Sequence, residues 1–197
     1  GYGRLLTNAG GTLLYTTGLD APLWRSDGTA AGTFALADFE ATVGAGLDAF
    51  ADLNGTLLFN VPIFDDDEIW RSDGTDAGTV LLTNVNVQSS LVTIAGIAFF
   101  AANDGTHGRE LWKSDGSGAG TMLVKDIVPG VGGVFDAFGP GVLGSANGTL
   151  FFEANDGANG YELWKSDGTT AGTLLVKDIR VGSSSSDPDA LTDVSGT

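Results

Sequence analysis

The chain has 197 residues, ample for a packed core, and 25 acidic against nine basic residues give it a formal charge of −16 and a pI near 4.1. A surface of that sign repels nucleic acid and anionic membranes, and no apolar run reaches the length that spans a bilayer, so neither nucleic-acid binding nor membrane insertion is expected. With no cysteine, disulfides, zinc–thiolate centres and cysteine nucleophiles are excluded together.

Residues 4–17, RLLTNAGGTLLYTT, predict two short strands around a glycine turn. The figure returns at residues 47–60 (LDAFADLNGTLLFN), 91–101 (LVTIAGIAFFA) and 142–153 (VLGSANGTLFFE). Asn54-Gly55 and Asn147-Gly148 predict type I′ hairpins, because both turn positions require positive φ. After each figure come a variable loop, a strand carrying a tryptophan, a Ser-Asp-Gly turn and a last apolar strand. Trp24, Trp70, Trp112 and Trp164 recur at spacings of 46, 42 and 52 residues, and they are the only tryptophans. A Gly-Thr pair falls eight and nine residues after each: Gly32-Thr33, Gly78-Thr79, Gly120-Thr121 and Gly172-Thr173. One repeat domain over 1–197 is therefore expected, with units 1–46, 47–88, 89–140 and 141–189. Residues 190–197, ALTDVSGT, match the opening of a further copy, with a spare strand at 190–194, so the chain is expected to come from a longer array.

Four short antiparallel strands per unit fit one blade of a β-propeller. In the fourth unit they fall at a first piece before Asn147-Gly148, then 150–154, 162–166 and 174–179. Simple alternation puts Leu174 and Val176 on one face of the last strand and Leu175 and Ile179 on the other. A strand apolar on both faces must be covered on both, which stacked blades achieve. No sustained helical period is present. The expected fold class is all-β, a propeller-like array of four radially arranged blades or a fragment of a larger ring, with the tryptophans filling the gaps between blades. A ladder-like β-solenoid is the rival.

The run Glu162-Leu163-Trp164-Lys165-Ser166-Asp167-Gly168-Thr169, followed by Gly172-Thr173 and Val176-Lys177-Asp178-Ile179, resembles the ELWxxDGT repeat family of large secreted or surface-associated bacterial proteins. The resemblance covers essentially the whole chain and is most specific in the last two copies. Pro22 stands for the glutamate in the first copy, and Ile69 for the leucine in the second. The VKDI ending becomes Leu82-Thr83-Asn84-Val85 and Ala37-Asp38-Phe39. The resemblance implies an exported, extracellular, propeller-like protein with no established catalytic activity.

Asp27, Asp73, Asp115 and Asp167 are read as turn residues accepting backbone N–H groups, in preference to a ring of cation ligands. The tryptophans are read as core, in preference to sugar-stacking platforms. Arg25, Arg71, Lys113 and Lys165 follow them and make up four of the nine basic residues. These are expected to pair with strand carboxylates such as Asp126 or Asp178, their stems packed on the sheet. The candidate metal ligands are Asp65, Asp66 and Asp67 in the run Asp65–Glu68, together with Asp104 and Asp156 on glycine turns. Oxygen donors without thiolate select a hard cation such as calcium, although the EF-hand pattern is missing.

No nucleophile, metalloprotease or phosphate-loop motif occurs, and His107 is the single histidine. Only Asp65–Glu68, His107 and Arg109 visibly break the repeat symmetry. The expected function is thus a non-enzymatic structural or adhesive module at a bacterial cell surface, partnered by other copies or chains of a longer assembly. The alternative is a carbohydrate-binding, lectin-like propeller with glycan partners. The third reading is a glycoside hydrolase built on two of the many carboxylates.

Overall fold

The computed structural model describes residues 3–17, 22–37, 39, 47–63, 67–130, 144–189 and 191. Among them there is no helix; strands form four antiparallel sheets. The first sheet holds β1 (Gly3–Ala9), β2 (Thr12–Thr17), β3 (Leu23–Ser26) and β4 (Phe34–Ala37). The second holds β5 (Asp48–Asp52), β6 (Leu57–Val61), β7 (Glu68–Ser72) and β8 (Val80–Asn84), and β9 (Asn86–Val87) follows. The third holds β10 (Val92–Ile94), β11 (Ile97–Asn103), β12 (Arg109–Ser114) and β13 (Met122–Lys125). The fourth holds β14 (Gly144–Ala146), β15 (Thr149–Asn155), β16 (Tyr161–Ser166) and β17 (Leu174–Lys177). In each sheet these four strands run in sequence order as an antiparallel meander, not as the parallel stacking of a solenoid ladder.

The first hairpin of each sheet turns on two residues of positive φ. Asn54 and Gly55 (56° and 91°) and Asn147 and Gly148 (50° and 74°) adopt the predicted form. Gly10-Gly11 and Ala95-Gly96 do the same in the other two sheets, although Ala95 carries no side-chain signal for it. The last hairpin of each sheet contains a bulge. Trp164 pairs with Leu175 while Leu163 pairs with Lys177, so Val176 is an extra residue on β17. The same slip follows Leu23, Ile69 and Leu111.

Two sequence expectations for β17 are corrected here. The strand stops at Lys177 rather than Ile179, because Ile179 and Arg180 turn their N–H groups to the Glu162 carboxylate. It is also not covered on both faces: Leu174, Val176 and Ile179 are exposed.

Each sheet has a tryptophan face and a cation face, since residues paired across the ladder point to the same side. The chain divides into two compact units, residues 1–87 with 115–121, and residues 88–114 with 122–197. In the first unit, Leu14 and Leu23 on the cation face of the first sheet meet Leu57, Phe59 and Val61 on the tryptophan face of the second. In the second unit, Phe99, Ala101, Leu111 and Val124 on the cation face of the third sheet meet Leu150, Phe152, Ala154 and Trp164 on the fourth. The two units repeat one packing scheme. Burying a phenylalanine such as Phe59 or Phe152 in it contributes about 2 kcal/mol.

Candidate functional site

The most repeated chemistry is the Ser-Asp-Gly turn that closes the last hairpin. In the fourth sheet, Asp167 Oδ1 accepts the Thr169 N–H (2.8 Å) and the Thr169 hydroxyl (2.7 Å). The same hydroxyl oxygen accepts the Gly172 N–H at 2.9 Å. Thr173 donates its hydroxyl to the Thr169 carbonyl (2.7 Å), and Ser166 Oγ lies 2.8 Å from Thr173 Oγ1. Asp27, Asp73 and Asp115 accept the corresponding two bonds from Thr29, Thr75 and Ser117. Hydrogen bonds from Thr29, Thr75 and Thr169, the hydroxyl foremost, hold Asp27, Asp73 and Asp167 below the ordinary carboxylate range. Each of these aspartates thus commits its Oδ1 to its own turn. The small residue eight positions after each tryptophan has a steric cause: a Cβ on Gly32, Gly78, Gly120 or Gly172 would fall on the carboxylate of its turn's aspartate.

The cations after the tryptophans do not pair with strand carboxylates, which corrects the sequence expectation. Arg25 donates from Nη1 to the Gly74 carbonyl (2.9 Å), and Arg71 from Nη1 to the Gly116 carbonyl (3.2 Å). Lys113 donates from Nζ to the Gly168 carbonyl (2.7 Å). Each acceptor is the glycine of the next repeat's Ser-Asp-Gly turn. That turn's own bonds leave the carbonyl pointing at the neighbouring sheet, where a half-buried acceptor needs a donor. Lys165, the fourth of the series, is exposed, and no described residue accepts from it.

The tryptophans are packed. Trp112 and Trp164 are buried, and Trp24 and Trp70 half-buried. Tyr15 stacks on Trp24 with centroids 6.3 Å apart, and Phe39 meets both Trp70 and Phe59 edge-on. Trp70 Nε1 donates to Glu68 at 2.8 Å.

The acidic-loop candidates are not gathered into one site. Asp65 and Asp66 lie outside the described residues. Asp67 accepts from Asn60 Nδ2 and the Ile63 N–H. Asp104 Oδ1 accepts the N–H groups of Thr106 and His107 (both 2.9 Å), and its Oδ2 lies 2.7 Å from His107 Nδ1. Asp156 accepts the N–H groups of Ala158 and Asn159, and its Oδ2 lies 2.7 Å from Asn159 Nδ2. His107 thus does in the third repeat what an asparagine amide does in the fourth. Burial works against ionisation of Asp104 and Asp156, and these hydrogen bonds outweigh it, so both stay below the usual range. The bond to Asp104 raises His107. Among the described residues no three His, Asp or Glu side chains converge as a metal ion requires.

No family model matches the chain, and no curated protein matches it. Among solved structures it is similar to a chain of a nidogen/laminin complex, at 15% identity and a TM-score of 0.43, over 85% of this chain and 60% of that one. It is also similar to a puromycin hydrolase mutant complexed with PGG, at 14% identity and a TM-score of 0.47, over 91% of this chain and 30% of that one. It therefore spans less than two thirds of either.

A pair of residues that sequence reasoning left without a role is Glu110 and Glu162. Both are fully buried. Glu162 accepts from the N–H groups of Ile179 (3.2 Å) and Arg180 (3.3 Å) and from the Ser186 hydroxyl, which clamps the connector after β17 onto β16. Burial disfavours its charge, and these donors outweigh that and hold it below the usual range. Glu110 accepts from the Val128 N–H at 3.3 Å, while its Oε2 is buried with no partner among the described residues. Burial, reinforced by Asp126, pushes Glu110 up to about 7 despite backbone donors at Val128 and Ile127. The signal was present in the sequence: a glutamate two residues before the tryptophan in three of the four copies, followed by an apolar residue.

Proposed function

We propose that this chain is a non-enzymatic structural or adhesive module, a propeller-like repeat array of the ELWxxDGT type belonging to an extracellular bacterial surface protein. The observation that carries the reading is the repetition of one latch and one tie. The Ser-Asp-Gly turn is bonded alike in all four sheets, and in three of them the cation after the tryptophan bonds the next turn's glycine. A catalytic centre has to break such symmetry. At His107, one of the described residues that break it, the side chain serves the bond that Asn159 serves in the next copy. The −16 charge suits a soluble exterior, and any metal bound would be a hard cation such as calcium, taken by loop oxygens around Asp65, Asp66 and Asp67.

A glycan array probed with the purified chain tests this reading. The expected result is no saturable binding to any sugar class and no turnover of chromogenic glycosides. Saturable binding to one class would replace the structural reading with the lectin-like one, and turnover lost on Asp66→Asn would replace it with a glycosidase.

A further inference from the structure

Inside each unit the packing joins the cation face of one sheet to the tryptophan face of the next, and an exposed face of each kind is found on the fourth and the first sheet. On the fourth sheet the cation face carries Phe151, Leu163 and Lys165, with the bulge residue Val176 beside them. Its counterparts on the third sheet are sealed by the fourth: Phe99 and Leu111 are buried, and Val124 is 4% exposed where Val176 is 44%. Lys113 is tied to Gly168, whereas Lys165 stands in solvent. On the first sheet the tryptophan face carries Leu13, Tyr15 and Trp24. Leu13 is 37% exposed, while Leu57 and Leu150 at the same place in the second and fourth sheets are 0% exposed. Beside it, the first turn tip at Gly28 is exposed and has nothing within 4 Å of its Cβ position, and no described residue donates to its carbonyl.

The two open faces are the halves of the interface that the chain already makes inside each unit. We propose that the chain associates head to tail with a second copy of itself. The cation face of the fourth sheet takes the tryptophan face of the partner copy's first sheet, and Lys165 donates to the carbonyl of the partner's Gly28, as Lys113 donates to Gly168 within the chain. The occupant is set by the chemistry of the existing ties: an ammonium with apolar neighbours on one side, and a glycine carbonyl beside leucine and tryptophan on the other. The contact is heterologous, so it propagates beyond two copies unless the rotation closes a ring. This inference does not rest on the extracellular reading, and it stands or falls separately from the glycan array.

Sedimentation velocity of the whole chain, from micromolar to millimolar concentration at physiological ionic strength, tests it. The wild type is expected to form concentration-dependent dimers and longer species. Lys165→Glu, which spoils the cation face at an exposed position, and Leu13→Asp, which spoils the tryptophan face, are each expected to sediment as monomers. Mixed in equal amounts, they retain one good face of each kind and are expected to form a dimer and nothing longer. That rescue rules out misfolding as the cause of the monomers. A wild type that stays monomeric throughout overturns the proposal, as do single variants that assemble like the wild type, or a mixture that fails to dimerise.

Discussion

The Asp73 carboxylate occupies the space that a Cβ on Gly78 would need. The glycine is therefore required by a side chain five residues away and not by its own backbone, since Gly78 is absent from the positive-φ residues. The sign of a substitution there should depend on its neighbour.

Gly78→Ala is expected to expel the carboxylate from its bonds to Thr75 and lower stability by on the order of 2 kcal/mol. In an Asp73→Ala background the obstruction is gone. There the same Gly78→Ala change should be neutral or stabilising by up to about 1 kcal/mol, because alanine restricts the unfolded chain. Urea unfolding of the four proteins in the cycle checks this, and a loss of equal size in both backgrounds would reject the steric account.

The inter-repeat ties should show a positional asymmetry. Lys113→Met strands the Gly168 carbonyl without its donor and is expected to cost about 1–2 kcal/mol. Lys165→Met, at the equivalent exposed position, should leave the melting midpoint of dilute protein unchanged. Equal effects at both positions would mean that the lysines act through net charge and not through the carbonyl bond.

Glu110 gives a signed pH dependence. Its carboxyl is raised from 4.5 to about 7 in the folded chain, so its contribution is full below 4.5 and is lost as pH rises through about 7. Glu110→Gln should remove that loss, flattening the thermal midpoint between pH 5 and 8, by on the order of 3 kcal/mol at the alkaline end. Asp27, Asp73, Asp104, Asp156, Asp167 and Glu162 are lowered instead, so their contributions are present above their unfolded values of 3.8 and 4.5 and are lost as pH falls below them. The two windows are separate, and melts of wild type and Glu110→Gln across pH 3 to 9 distinguish them.

Calcium is best tested where the candidate ligands are already engaged. Asp104 and Asp156 each accept three bonds from their own turns, so Asp104→Ala and Asp156→Ala should lower the melting midpoint by the same amount in calcium and in EDTA. A loss seen only with calcium present would make these turns ion sites.

Much of the architecture was legible because it is periodic. The tryptophan spacing located the sheets, and Asn54-Gly55 and Asn147-Gly148 located two of the four tight turns. Ala95-Gly96 was invisible for a physical reason: alanine reaches φ 50° only because the strands on either side impose it. Alternation holds for Leu174 and Leu175 but cannot be carried past Val176 to the end of β17, because a bulge has no sequence mark apart from its repetition. The partners of Arg25, Arg71 and Lys113 were misread for a different reason. Opposite charges invite an ion-pair reading, whereas the true acceptors are backbone carbonyls 45 to 55 residues away, which no side-chain pattern reports.

The turn bonds have a kinetic consequence. Every hydrogen bond of a Ser-Asp-Gly latch joins residues no more than seven apart, as between Ser166 and Thr173. Each last hairpin can therefore close in microseconds without waiting for any other part of the chain. The slow event is left to the docking of preformed hairpins, where near-identical tips compete for three similar seats, at Arg25, Arg71 and Lys113. A tip seated in the wrong repeat would still meet a cation for its glycine carbonyl. The variable loops and unequal spacings between copies are then what penalise misassembly, and evening them out should slow productive folding while leaving the native bonds intact.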